Sequence, residues 1–103
     1  MSESDPIPTI AEAAQAISAR ELSALELTES LLRRVEAWQP HLDAFITLTA
    51  DHARVQARAA DAEIAAGSYR GPLHGIPFGL KDIYSTAGIL TTAHSKVLES
   101  YLP

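Results

Sequence analysis

Residues 71–95 read GPLHGIPFGLKDIYSTAGILTTAHS. Four of the five glycines lie in it, and its only charged side chains, histidines aside, are Lys81 and Asp82, side by side. The chain has only two lysines, and Lys81 is one of them. Ile76, Pro77, Phe78, Gly79 and Leu80 form an apolar run that leads straight into Lys81. Such a run suits a strand covered on both faces. Pro77 then has to stand at its start or on an edge, because proline cannot donate to a ladder. The pattern predicts a strand over 76–82.

A lysine at the end of an apolar strand has two readings. A free lysine is protonated near neutrality and is a poor base. Burial disfavours the ammonium form, and a neutral amine can then take a proton from a serine hydroxyl. The competing reading is a salt bridge of purely structural use, because ion pairs also occupy such places. Neighbouring side chains on a strand point to opposite faces, so Lys81 and Asp82 are not a pair by adjacency alone.

Outward from this stretch, the first two-thirds of the chain reads as helices with one strand between them. Residues 1–8, MSESDPIP, form a leader. Thr9 and Glu12 have the spacing of a capping box, which starts a helix whose face is Ile10, Ala13, Ala14 and Ile17. Ser23 and Glu26 repeat that spacing at the start of a second helix. Its apolar line is Leu25, Leu32 and Val35, with Leu31 and Trp38 beside it, and Pro40 is expected to end it. This amphipathic face could meet a partner or a membrane surface. Packing on the chain's own core is preferred, because its polar face is mixed in sign rather than basic. Residues 44–49, AFITLT, are rich in aromatic and β-branched types and read as a strand. A third helix is expected from Asp51 to Ala66, with Ala53, Ala57, Ala60 and Ile64 on one face and Gly67 as its C-terminal cap.

Composition excludes several classes. The 103 residues allow one small domain, and an apolar share of 47% with 20% charged residues is that of a globular chain. Lys and Arg number 8 against 13 Asp and Glu, a net charge of -5 that argues against direct nucleic-acid binding. The absence of cysteine removes disulfides and thiolate chemistry and fits a cytoplasmic setting. Apolar runs are too short for a membrane span, and the acidic N-terminus is no signal peptide. His41, His52, His74 and His94 show no short ligand spacing, so no metal and no cofactor is expected.

The run GPLHGIPFGLKD followed by TAGILTTAHS closely resembles the amidase signature family of serine hydrolases. The residues that fit are Gly71, Pro72, Leu73, Gly75, Ile76, Pro77, Leu80, Lys81, Asp82, Gly88, Thr91, Thr92, Ala93 and Ser95. Upstream, Glu21 to Glu29 (ELSALELTE), then Arg34-Val35-Glu36, Pro40 and Asp43-Ala44-Phe45, resemble the family's first helix and strand. Three positions depart from the pattern: His94 replaces a glycine, Ser85 an aspartate and Asp43 an asparagine.

The resemblance implies an α/β fold, the N-terminal portion of a mixed central sheet enclosed by helices, here helices plus two or three strands. Within a single amidase domain, 1–8 is then the leader, 9–66 the helices and first strand, and 71–95 the lysine-bearing strand and loop. It implies hydrolysis or transfer of the acyl group of a carboxamide by a Ser-Ser-Lys triad. Lys81 matches the lysine that acts as general base through a bridging serine, and Asp82 matches a supporting position at the strand end. Gly75 and Gly79 let backbones approach closely. Ser85, Ser95 and Ser100 lie in no Gly-Ser-rich loop, so none is assigned as the nucleophile, and both catalytic serines are expected in a segment outside this chain. The expected partner is a small-molecule amide, with a homo-oligomer left open. Three functions follow: an amidase, the glutaminase subunit of a glutamyl- or aspartyl-tRNA amidotransferase, or a catalytically inactive truncated remnant. The isolated chain is expected to be inactive, and to fold poorly or self-associate.

Overall fold

The computed structural model describes residues 6–93, 95–98 and 100–103. Three helices dominate it: α1, Ile10–Ser18; α2, Ala24–Leu42; and α3, Ala50–Ala65. A single 3₁₀ turn, Lys96–Leu98, follows much later.

Each helix start and stop has a local cause. Thr9 caps α1 and Ser23 caps α2, both as full capping boxes with Glu12 and Glu26. At the end of α1, the amides of Arg20 and Glu21 donate to the carbonyls of Ile17 and Ala16, the paired hydrogen bonds of a Schellman motif. Arg20 takes the left-handed position at φ 59. The same motif closes α3, where Gly67, at φ 87, and Ser68 donate to Ile64 and Glu63. Gly67 is thus the cap that the sequence suggests. Pro40 does not end α2, which runs on to Leu42 and closes on Asp43 at φ 46. Pro40 gives no hydrogen bond to the Glu36 carbonyl and crowds it, yet the two residues after it keep the helix.

The helices then cap one another. The Asp61 carboxylate on α3 accepts from the amides of Ala24 (2.7 Å) and Leu25 (3.1 Å) at the start of α2. Arg20 caps α3 in turn by donating to the carbonyls of Ile64 (3.0 Å) and Ala65 (3.2 Å). The first amides of one helix and the last carbonyls of another are thereby met by opposite charges. Glu29 on α2 also holds Arg54 on α3 at 2.6 Å. That hydrogen bond raises the Arg54 pKa above its ordinary value.

Two small clusters make up the core. Ala13, Ile17, Leu27 and Ile64 form one, with Leu22, Leu31 and Ile76 against it. Ala24, Ala57 and Ala60 form the other, where small side chains let α2 and α3 come close. The apolar faces read from the sequence are partly those buried. Ile10 and Trp38, assigned to them, are instead exposed at 56% and 58%.

The expected α/β architecture is not found. Among the described residues there is no strand and no sheet, only one antiparallel bridge between Thr86 and Ile89. Residues 44–49 and 76–82 are irregular. The reason is partnership. A strand exists through ladder bonds to a neighbour, and the backbones of Ile46, Thr47, Leu48, Phe78, Gly79 and Leu80 make no hydrogen bond among the described residues. Phe45 alone gets a substitute. The Gln39 side-chain amide donates to its carbonyl (2.6 Å) and accepts from its amide (3.1 Å), as a strand neighbour would. The unpaired segments leave the chain open. Its radius of gyration is 15.2 Å, against about 13 Å for a compact domain of this length.

Candidate active site

The motif-bearing segment begins at a turn fastened to the helices. Gly75, at φ 84, lies so close to α2 that a Cβ on it would stand 2.9 Å from the Ala24 Cβ. Only glycine satisfies both that conformation and that contact. Gly79 meets only ordinary contact with the Phe45 ring, at 3.6 Å. His74 anchors the same turn. Its buried ring accepts from the Arg70 amide at Nδ1 (3.0 Å), which places the proton on Nε2, facing Glu63 Oε2 at 3.4 Å. Tyr69 stacks on the ring, with centroids 6.0 Å apart. His74 is therefore a structural pin between α3 and the turn. His41 and His52 are exposed, and His94 lies outside the described residues.

Lys81 stands where the apolar run ends, and its side chain is exposed. The burial that a neutral amine needs is not supplied by the described residues. Lys81 also makes no ion pair among them, so the salt-bridge reading with Asp82 has no geometric support. Its carbonyl accepts from the Tyr84 amide at 3.2 Å, which begins a tight turn.

Asp82 is turned elsewhere. Its Oδ1 accepts from the Thr92 amide at 2.9 Å, and its Oδ2 accepts from the Thr92 hydroxyl. Its own carbonyl accepts from the Ala93 amide at 2.7 Å. Three bonds thus join Asp82 to two consecutive residues of the second motif, and Ala93 turns away at φ 50. Thr91 adds to the brace. Its hydroxyl reaches the carbonyls of Ile89 (3.1 Å) and Tyr84 (3.4 Å), and its amide donates to Tyr101 (3.0 Å). The two motifs, 10 residues apart at Asp82 and Thr92, therefore form one knot beside Lys81.

Ser85 and Ser100 are exposed, and the Ser95 hydroxyl accepts from the Val97 amide at 3.2 Å as a local turn contact. The shallow depression beside the helices, about 250 Å³, is lined by Ile17, Arg20, Asp61 and Ile64 and contains no residue of the lysine segment. No local pattern announces that Glu63 and Asp61 hold the turn and α2, because both act on residues far along the chain.

Comparison with known proteins agrees with the motif. The Amidase family model matches residues 26–103. In Roseiflexus castenholzii (strain DSM 13941 / HLO8), the A subunit of glutamyl-tRNA(Gln) amidotransferase is 50% identical over 95 residues, covering 92% of this chain and 19% of that protein. Its namesake from Roseiflexus sp. (strain RS-1) is 48% identical over 95 residues, with the same coverage. That from Halorhodospira halophila (strain DSM 244 / SL1) is 48% identical over 93 residues, 90% of this chain and 19% of that protein. The chain thus spans about a fifth of the length of these relatives. No solved structure matches it. The matched span contains Lys81, Asp82 and the Thr91–Ala93 knot entire, and the chain belongs to the amidase signature family.

Proposed function

We propose that this chain supplies the lysine base of a site that cleaves amide C–N bonds. In that reaction a serine oxygen attacks the carbonyl carbon, and its proton passes through a second serine to the Lys81 amine. The proton then goes to the leaving nitrogen as the C–N bond breaks, and water releases the acyl group. Neither serine is assigned among these residues, and the described residues do not cover the amine. The observation that carries the reading is Lys81 itself, in no ion pair among the described residues and held at a turn braced by the Asp82–Thr92 knot.

Among amide substrates, the glutaminase role of a tRNA amidotransferase is favoured over a general amidase. The support is the name that the relatives share, at 46–50% identity. Such an enzyme would release ammonia from glutamine.

The test uses the purified chain and a chimera in which it replaces the matching segment of the Roseiflexus castenholzii protein. The chain alone should not turn over glutamine or a simple aromatic amide. The chimera should release ammonia from glutamine, and Lys81→Ala should abolish it. An active Lys81→Ala chimera would overturn the base assignment. Turnover of the aromatic amide but not glutamine would favour the general amidase. An inactive but folded chimera would leave the remnant reading.

A further inference from the structure

We propose that Thr92 is a positioning residue for Lys81, acting through Asp82; the inference rests on the base role given to Lys81 above. An exposed lysine has no packing to fix its direction, so the backbone beneath it must do so. That backbone is set one residue later. Asp82 is gripped at both carboxylate oxygens and at its own carbonyl by Thr92 and Ala93. A carboxylate held at both oxygens cannot rotate about its side-chain bonds without breaking a charge-assisted bond. The Ala93 bond holds the Asp82–Ile83 peptide, and the Tyr84 amide on the Lys81 carbonyl holds the Lys81–Asp82 peptide, so both peptide planes that flank Asp82 are tied.

The Thr92 hydroxyl is the part of this grip that sequence can vary alone. The amide at position 92 and the Ala93 amide are backbone groups and survive any substitution there other than proline. Thr92→Val keeps the branched shape and both backbone bonds and removes the hydroxyl bond to Oδ2. The carboxylate then loses the Thr92 hold on Oδ2, and the lysine turn loosens with it. Thr92→Ser restores a hydroxyl donor in the same place. Misplacing a catalytic group by about 1 Å can cost on the order of 100-fold in rate.

The experiment is steady-state glutamine hydrolysis by the same chimera, with kcat, KM and the pH profile of kcat measured for the parent, Thr92→Val, Thr92→Ser and Lys81→Ala. In Thr92→Val, kcat should fall about 10- to 100-fold with KM little changed, and the acid limb of its pH profile, where a general base gains its active form, should move. Thr92→Ser should return kcat to within about threefold of the parent, less than half a decade in rate. A Thr92→Val enzyme with the parent's kcat and pH profile overturns the inference while leaving Lys81 as base. If Thr92→Val does not fold, Thr92→Ser decides: near-parent kcat and profile support the hydroxyl's role, and a loss with an unmoved profile overturns it. Retained activity in Lys81→Ala is the separate result that removes the reading beneath it.

Discussion

Asp61 on α3 reaches the first amide of α2 that has no partner within the helix, accepting from Ala24 at 2.7 Å, with its second oxygen on Leu25 at 3.1 Å. One carboxylate therefore ties two helices together and neutralises the positive end of one of them. Ser23 already serves the Glu26 amide, so Asp61 takes the two donors that the capping box leaves. Asp61→Ala should cost about 1–3 kcal/mol, since it leaves two amides unsatisfied at a partly buried position. Asp61→Asn keeps one acceptor and should cost less. Urea unfolding followed by circular dichroism measures both, and equal midpoints for Asp61→Ala and the parent would contradict the role.

Gly75 and Ala24 make the second prediction. A Cβ at 75 would lie 2.9 Å from the Ala24 Cβ, and φ there is 84. Gly75→Ala therefore adds steric overlap to a left-handed conformation that costs about 1–2 kcal/mol by itself. Ala24→Gly removes the overlap and leaves the conformational cost. The double variant should recover part of the loss, with a coupling of about 0.5–3 kcal/mol expected for residues in contact. Strict additivity in a double-mutant cycle would show that the two do not meet.

What could be read from the sequence was what depends on near neighbours. Thr9 with Glu12, Ser23 with Glu26, and Gly67 after Ala66 each act across a few residues, and each stands where the pattern put it. Pro40 misled because it costs α2 one hydrogen bond without stopping the two residues after it. The Asp61 and Arg20 caps act across 37 and 44 residues, and no local pattern announces such pairs. The two strands failed for a related reason. AFITLT and IPFGL carry strand composition, but composition cannot supply the neighbour that a ladder requires. At the site, Lys81 was recognisable by its motif. Its exposure was not, because cover is a property of what packs over a residue.

Glu12 gives a prediction in pH. The Thr9 amide hydrogen-bonds its carboxylate, and the Thr9 hydroxyl contributes, so its pKa lies below the ordinary 4.5. A carboxyl whose pKa is lowered on folding binds its proton more readily when unfolded. Its contribution to stability is therefore complete above the unfolded value and is lost as pH falls through the folded one. The start of α1 should loosen below about pH 4.5. Glu12→Gln retains an acceptor but no titration, so its α1 should lack that acid step. An NMR titration of the Glu12 carboxyl and the Thr9 amide reads both. A midpoint at or above the ordinary carboxyl value would refute the reading.

The last prediction concerns the two segments without partners. Phe78 is 81% exposed, and Leu73, Leu80 and Ile46 are exposed beside backbones that lack ladder partners among the described residues. The accessible surface totals 7124 Å², where a folded monomer of this mass shows about 5,700 Å². Apolar side chains on unpaired backbone are the usual template for edge-to-edge association. The chain in isolation should therefore associate as its concentration rises toward the order of 100 μM. Phe78→Lys and Leu80→Lys place charge on the unpaired run, and together they should lower association without melting the helices, since neither side chain belongs to the core. Sedimentation velocity across a dilution series follows the first effect and circular dichroism the second. A parent chain that stays monomeric throughout and melts in one sharp thermal step would show that 44–49 and 76–82 need no neighbour.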